Sequence, residues 1–111
     1  MAQPRTPSGQ VVSILPMGPR LQEARTTALL KSEQLEVVRV VLLAGQDMRE
    51  HRSPGEVTVH CLEGRIEFKT SEGMHLMGAG DFIHLRRMEP HALRAVEDAS
   101  ALVTMALLPH A

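Results

Sequence analysis

Short runs of apolar residues follow one another along most of the chain and are separated by residues typical of turns. The breaks are rich in Gly, Pro, Ser and acidic residues, and no apolar stripe with helical spacing extends for a useful length. Strands spaced about 8–12 residues apart, with turn residues between them, are typical of a β-sandwich or β-barrel. The sequence therefore predicts an all-β protein. The predicted strands cover residues 26–31, 35–43, 57–62, 65–69, 74–77, 81–85, 91–96 and 101–108.

The N-terminal part of the chain departs from this pattern. Residues 1–19 contain four prolines and two glycines and are predicted to form an irregular arm, whereas residues 20–111 are predicted to form a single β-barrel domain. Residues 11–15 are mostly apolar and are a candidate strand that pairs with another strand, in this chain or in a partner. Residues 21–25 are predicted to form one helical turn. The Glu-Gly pair at residues 63–64 is predicted to close a tight hairpin, in which glycine adopts a positive φ.

Composition and charge exclude several classes of partner. The chain has 12 basic and 13 acidic residues, no Trp or Tyr and two Phe, which argues against a nucleic-acid-binding surface. The longest apolar run, residues 40–44, is too short to cross a membrane, and the N-terminal segment lacks the apolar core of a signal peptide. The single cysteine, Cys61, has no partner for an intrachain disulfide and is interpreted as a small buried residue in a reducing compartment. We therefore expect a cytoplasmic location, with neither nucleic acid nor membrane as a partner.

Two motifs, within residues 45–64 and 80–91, resemble those of the cupin family. The first comprises a glycine and a histidine at the ends of residues 45–51, then a strand and a Leu-Glu-Gly turn within residues 56–64. The second comprises a Gly-Asp-Phe run and a Pro-His pair within residues 80–91. The resemblance covers residues 35–108 and implies a jelly-roll β-barrel, here a small single-domain cupin. Because small cupins are usually dimers, the resemblance also implies a homodimer.

The resemblance implies a depleted metal site. Cupins commonly hold a divalent metal with two His and one Glu from the first motif and one His from the second. Here His51 and His91 match two of these positions, whereas Ser53 stands where the second His is usual and Val57 stands at the Glu position. Two imidazoles bind a metal weakly, because stable sites have three or four protein donors. A divalent metal cofactor (zinc, nickel, iron or manganese) therefore remains an open alternative.

The parity of one strand decides whether other ligands can join the two histidines. Side chains alternate between the faces of a strand, so Val57, Val59 and Cys61 share one face and Glu56 and His60 share the other. If the second face pointed into the barrel, Glu56 and His60 would complete a nitrogen- and oxygen-rich metal site. A β-bulge before the strand would produce that shift. The motif spacing and the apolar character of the first face favour the opposite register.

With the apolar face inward, the barrel has a mostly apolar lumen with polar groups at one end. In the cupin layout the segment before His51 and the loop before His91 lie near the mouth, and four arginines in or next to them are predicted to border it. These are Arg49, Arg52, Arg86 and Arg87. Because guanidinium groups match carboxylate and phosphate, an anionic ligand is predicted. The predicted ligand-binding residues of the lumen and mouth are His51, Ser53, Val57, Val59, Cys61, Arg86, Arg87, His91 and Leu93.

Two functions are compatible with this interpretation. The favoured one is a cupin barrel that binds a small molecule in its lumen without strong metal dependence, as a sensor, carrier or accessory protein. The alternative is a metal-dependent enzyme of the dioxygenase or isomerase type that uses His51 and His91 as ligands. No catalytic residue is assigned, and the sequence leaves open whether the protein is an enzyme.

Overall fold

The computed structural model describes residues 5–108 of the chain and confirms the all-β prediction. One short 3₁₀ helix, Gly18–Glu23, precedes the strands. The strands in chain order are β1 Thr27–Lys31, β2 Leu35–Leu42, β3 Asp47–His51, β4 Val57–Glu63, β5 Arg65–Thr70, β6 Gly73–Gly78, β7 Phe82–Leu85, β8 His91–Ala95 and β9 Ala99–Ala106. Within this range, no helix is of the length and apolar character needed to span a bilayer.

The strands form two antiparallel sheets that face one another. The five-stranded sheet has the order β1-β2-β9-β4-β7, and the four-stranded sheet has the order β3-β8-β5-β6. The core lies between the sheets, where alternate side chains of β4 meet those of β5 and β8. Val57, Val59 and Cys61 are buried in this core, whereas Glu56 is exposed and His60 is only partly buried on the outer face. The apolar face of β4 therefore points inward.

The predicted hairpin at Glu63-Gly64 is wrong. Strand β4 pairs with β7 and β9, whereas β5 pairs with β6 and β8, so the two strands flanking Gly64 belong to different sheets. Gly64 has a φ of +79°, which lets the chain turn sharply from one sheet into the other. A glycine between two strands is compatible with either geometry. The pairing partners of each strand, which are distant in sequence, decide between them.

Strand β3 was not predicted, because it has almost no apolar pattern. Only Met48 among its five residues packs against the core, and the others are exposed. The strand exists because it pairs with β8, with Met48 opposite Leu93 and His51 opposite His91. The pairing is irregular between Met48 and His51. This edge strand places the first of the two motif histidines against the second.

From residue 5 onward the N-terminal arm forms no strand, and two charged side chains and one backbone hydrogen bond, from the N–H of Thr6 to the carbonyl oxygen of Leu29 at 2.7 Å, hold it. Residues 11–15 form no strand within the described chain, and Val11 and Leu15 are largely exposed. The guanidinium group of Arg39 donates to the carbonyl oxygen of Leu15 at 2.9 Å. The carboxylate of Glu63 accepts hydrogen bonds from the N–H groups of Met17, at 3.0 Å, and of the next residue, at 3.1 Å. The helical turn begins three residues earlier than predicted.

Candidate functional site

His51 and His91 lie side by side as cross-strand partners. Their ring centroids are 4.2 Å apart, with 60° between the ring planes. His91 is only 4% exposed, whereas His51 is exposed at the edge of the four-stranded sheet. The ring of His91 is also parallel to that of Phe68, at a centroid distance of 5.9 Å and an angle of 7°. Phe68 was not among the predicted site residues, although it is one of only two phenylalanines and lies in a predicted strand.

Both histidines have the same tautomer, fixed by the backbone. The Nδ1 of His51 lies 2.9 Å from the carbonyl oxygen of Arg49, and the Nδ1 of His91 lies 2.9 Å from that of Glu89. Because a carbonyl oxygen only accepts, each Nδ1 carries the hydrogen and each neutral ring presents its Nε2 as an acceptor. Every buried side-chain nitrogen or oxygen in residues 5–108 has a partner. The Nε2 of His91, which has no protein partner in that range, is therefore accessible to solvent.

Two loops meet beside the histidine pair. The backbone N–H of Met88 donates to the carbonyl oxygen of Ser53 at 2.8 Å, and the Nε of Arg87 donates to that of Pro54 at 2.9 Å. These bonds join the loop between β7 and β8 to the loop between β3 and β4. Met88 has a φ of 63° and is the one non-glycine residue with positive φ within residues 5–108. Backbone strain of this kind is concentrated at functional sites.

The mouth arginines differ in how far their charges are already paired. Arg86 contacts the carboxylate of Glu89 at 3.2 Å, and hydrogen bonds from Ser71 and the charge of Arg86 lower the pKa of that carboxyl. Arg87 contacts only a backbone carbonyl oxygen among the described residues. Arg49 and Arg52 are exposed. The two loops and β3 thus carry four guanidinium groups, one of which is paired with a carboxylate within residues 5–108.

The predicted lumen residues lie deeper in the same core. Val57, Val59, Cys61 and Leu93 are buried between the sheets together with Phe68. Burial raises the pKa of the Cys61 thiol, and its Sγ lies 3.5 Å from the carbonyl oxygen of the second residue after it. The thiol is therefore protonated at neutral pH and packs as a small apolar group.

Glu56, directly before β4, and His60, within β4, would have joined the metal site in the alternative register. The carboxylate of Glu56 lies 2.6 Å from the Nε2 of His84, and the ring of His60 lies 6.4 Å from that of Phe82. These contacts are on the side of the five-stranded sheet that faces away from the core. The structure therefore separates Glu56 and His60 from the histidine pair.

Comparison with known proteins identifies the family. The family described as "Cupin domain" matches residues 38–107, which is more than half of the chain. The chain belongs to the cupin family. No curated protein matches it.

Solved structures of other proteins share the fold along about two thirds or more of the chain. A conserved protein of unknown function from Streptococcus pyogenes is 23% identical, with a TM-score of 0.74 over 100% of this chain and 97% of that one. An RmlC-like cupin from Desulfovibrio desulfuricans is 27% identical, with a TM-score of 0.73 over 87% of this chain and 96% of that one. Salicylate 1,2-dioxygenase from Pseudoaminobacter salicylatoxidans is 16% identical, with a TM-score of 0.63 over 66% of this chain and 21% of that one. The fold thus occurs both in proteins of unknown function and in at least one enzyme.

Many cupins bind a metal, but residues 5–108 of this cupin offer an incomplete set of donors. Among residues 5–108, no group of three or more His, Cys, Asp or Glu side chains is placed to hold a metal ion. His51 and His91 supply two imidazoles, and Val57 and Ser53 occupy the remaining motif positions. Among the described residues, the histidine pair therefore lacks the third protein donor that a stable site requires.

The buried histidine makes the stability of this cupin depend on pH. Burial and the neighbouring His51 lower the pKa of His91 below its usual 6.5, although its hydrogen bond to Glu89 acts in the opposite direction. Below pH 6.5 the unfolded chain therefore binds more protons at this position than the folded chain. The neutral His91 therefore contributes its full stabilisation above pH 6.5. This stabilisation is lost as the pH falls toward the lower pKa that His91 has in the folded protein.

We expect the free energy of unfolding in urea to fall with pH below about 6.5, and the substitution His91→Gln to flatten this slope. The control is His75→Gln, at an exposed position on β6, which should leave the slope unchanged. Equal slopes in the wild type and in His91→Gln would show that this histidine is not the group responsible.

Proposed function

We propose that this cupin binds a small acid that also carries hydroxyl groups, at the mouth beside His51 and His91, without strong dependence on a metal. The observation that carries the proposal is the histidine pair, in which both Nδ1 atoms are bound to the backbone and neither Nε2 atom has a hydrogen-bond partner among residues 5–108. A neutral imidazole with a free Nε2 accepts a hydrogen bond, which a ligand hydroxyl group donates.

The acidic part of the ligand is inferred from the arginines. Arg87 and Arg52 belong to the two loops that meet at Ser53, and neither is paired with a carboxylate among the described residues. A guanidinium group offers parallel N–H donors to a carboxylate. The ligand is thus expected to be recognised by an acceptor at the histidines and by a donor at the arginines.

The experiment is a titration followed by ¹H–¹⁵N NMR, with hydroxy acids of two to six carbons and the neutral polyols that match them. We expect saturable shifts at β3 and β8. The double substitution Arg86→Gln/Arg87→Gln should weaken hydroxy-acid binding by about tenfold, because charge-assisted hydrogen bonds contribute about 1.5–3 kcal/mol. It should leave polyol binding unchanged, whereas His91→Gln should weaken both.

A matched control is Arg94→Gln, on an exposed position of β8, which should change neither binding constant. Equal losses for acids and polyols in the Arg86/Arg87 variant would contradict the anionic preference. An absence of saturable shifts at β3 and β8 across the whole panel would overturn the proposed site.

The second candidate is a metal-dependent enzyme of the dioxygenase or isomerase type. It is favoured by the tautomer of the histidine pair, because metal-binding histidines usually donate their second ring N–H to a backbone carbonyl or a carboxylate. Salicylate 1,2-dioxygenase shares the fold, which supports the compatibility of such chemistry with this barrel. A metal here would have to complete its coordination with solvent or substrate.

Elemental analysis separates the two candidates. Untagged protein would be incubated with zinc, nickel, iron or manganese and analysed beside a His91→Ala variant. Near-stoichiometric metal that is absent from the variant would favour the enzyme, whereas sub-stoichiometric metal in both would favour metal-independent binding.

We also propose that this cupin is a cytoplasmic homodimer. Exposed apolar side chains on the arm, Val11 and Leu15, and on the outer face of the five-stranded sheet, Phe82, support the dimer. The lone buried Cys61 supports a reducing compartment. Light scattering should give twice the 12.2 kDa mass of one chain, and a monomeric mass at micromolar concentration would contradict the dimer.

A further inference from the structure

A cavity lies at the base of the N-terminal arm, and neither histidine of the pair lines it. Its volume is about 580 Å³, within the range of about 300–1,000 Å³ found for small-molecule sites. The cavity is lined by the arm, by residues 23–26 and by strands β1 and β2. None of these segments contributes to the mouth, which is built from β3, β8 and the loops beside them.

The walls of this cavity carry excess positive charge. Arg5, Arg25 and Arg39 line it, and Glu23 is the one acidic residue among the lining residues. The ion pairs formed within residues 5–108 involve other residues, so none of these three arginines has a carboxylate within 4.0 Å there. An anion entering the cavity would therefore meet three guanidinium groups that form no ion pair within residues 5–108.

Arg39 is the preorganised member of this group. It is 8% exposed, and its Nη1 and Nη2 donate to the carbonyl oxygens of Leu15, at 2.9 Å, and Ser13, at 3.5 Å. The charge of Arg39 helps to lower the pKa of the nearby Glu63, but this carboxylate is not within 4.0 Å of the guanidinium group. It accepts hydrogen bonds from Ser100 and from two backbone N–H groups of the arm. A guanidinium group held in place and largely shielded from water attracts an anion more strongly than an exposed one does.

The rest of the lining is apolar or has its polar groups engaged. Met17, Ala28 and Leu29 contribute apolar surface. The hydroxyl group of Thr26 accepts from the N–H of Val41 at 2.9 Å, and that of Thr27 donates to the carbonyl oxygen of Arg25 at 2.8 Å. The cavity thus offers charge for an anionic head and apolar contact for a short chain.

We propose that this cavity binds a small organic anion, a carboxylate or a phosphate monoester with a short apolar tail, independently of the mouth. The charged head contacts Arg39 and Arg25, and the tail packs on Met17 and Leu29. Because Arg39 also holds the arm, the bound anion would help to fix the arm against β1 and β2.

The test is a titration of the full chain with hexanoate, with hexyl phosphate and with the neutral 1-hexanol, followed by ¹H–¹⁵N NMR. We expect saturable shifts for the two anions in residues 24–29 and little response to hexanol. Arg25→Gln should weaken anion binding about fivefold, and Arg39→Gln by more. Within residues 5–108, Arg39 donates a hydrogen bond to the arm, whereas Arg25 forms none with it. The Arg25→Gln variant therefore tests the site even if Arg39→Gln loosens the arm.

Two control variants make the result specific. Arg20→Gln, in the 3₁₀ helix outside the cavity lining, should leave hexanoate binding unchanged, and so should His91→Gln at the mouth. Loss of binding in His91→Gln with no loss in Arg25→Gln would place the anion at the mouth and overturn the second site. Equal binding of hexanol, or no saturable shift in residues 24–29, would also overturn it.

Discussion

Replacing Gly64 with alanine is expected to lower the free energy of unfolding by about 3–5 kcal/mol, the combined cost of overpacking and an unfavourable φ. An alanine Cβ would lie 2.7 Å from the Cα and 2.8 Å from the Cβ of Ala99, and closer still to the carbonyl oxygen of Asp98. Two of these three atoms belong to the backbone, and Ala99 is fully buried, so no flexible side chain can move aside. The φ of +79° adds strain of its own.

The matched control is Gly45→Ala. Gly45 has a similar φ of +87°, but a Cβ there would meet no atom within 4 Å. This variant should lose only about 1–2 kcal/mol, the cost of the left-handed conformation for an L-residue. Urea denaturation of the two variants measures the difference. Equal losses would show that the close approach of Gly64 to Ala99 does not constrain the turn between the sheets.

The substitution Phe68→Ala is expected to cost about 3–5 kcal/mol and to change the titration of His91. Phe68 is 0% exposed and its ring is parallel to the imidazole of His91, so its removal leaves a cavity beside that ring. Water entering the cavity would reduce the burial that lowers the pKa of His91, and that pKa should rise toward 6.5. Urea denaturation measures the first effect, and the ring-proton shifts measured against pH report the second.

Two further variants serve as controls for this prediction. Phe82→Ala removes the other phenylalanine, which is 62% exposed, and should cost no more than about 0.5 kcal/mol. Phe68→Leu keeps an apolar side chain in the core and should remain folded if the alanine variant does not, with a smaller rise of the His91 pKa. An unchanged pKa of His91 in both Phe68 variants would contradict the proposed role of Phe68.

The sequence predicted the elements whose apolar pattern is strong and missed those that depend on distant partners. Strands β2, β4 and β9 were predicted from long apolar or alternating runs, and the resemblance to the cupin family was recognised from the two motifs. Strand β3 and the turn at Gly64 depend instead on pairing between segments far apart in the chain. No local signal distinguishes an edge strand of polar residues from a loop.

The candidate site was predictable in its two histidines but not in its surroundings. His51 and His91 occupy positions that match the cupin motifs. Their ring centroids lie 4.2 Å apart because β3 pairs with β8 in a register that the sequence does not reveal. The stacking of Phe68 depends on packing between β5 and β8. Likewise, the hydrogen bonds that the arm donates to the Glu63 carboxylate join residues more than 40 positions apart, which sequence spacing does not reveal.

Because β3 lies at the edge of its sheet, His51 is held less firmly than His91. Strand β8 has neighbours on both sides, so His91 is anchored by two strands and by the ring of Phe68. Strand β3 has one neighbour and an irregular register, so His51 is carried by one of the least supported segments of the sheet. Local opening would therefore separate the rings by moving His51 while His91 stays in place. A bound molecule that bridges the two rings would close this weak edge, and slower amide exchange along β3 would be its signature.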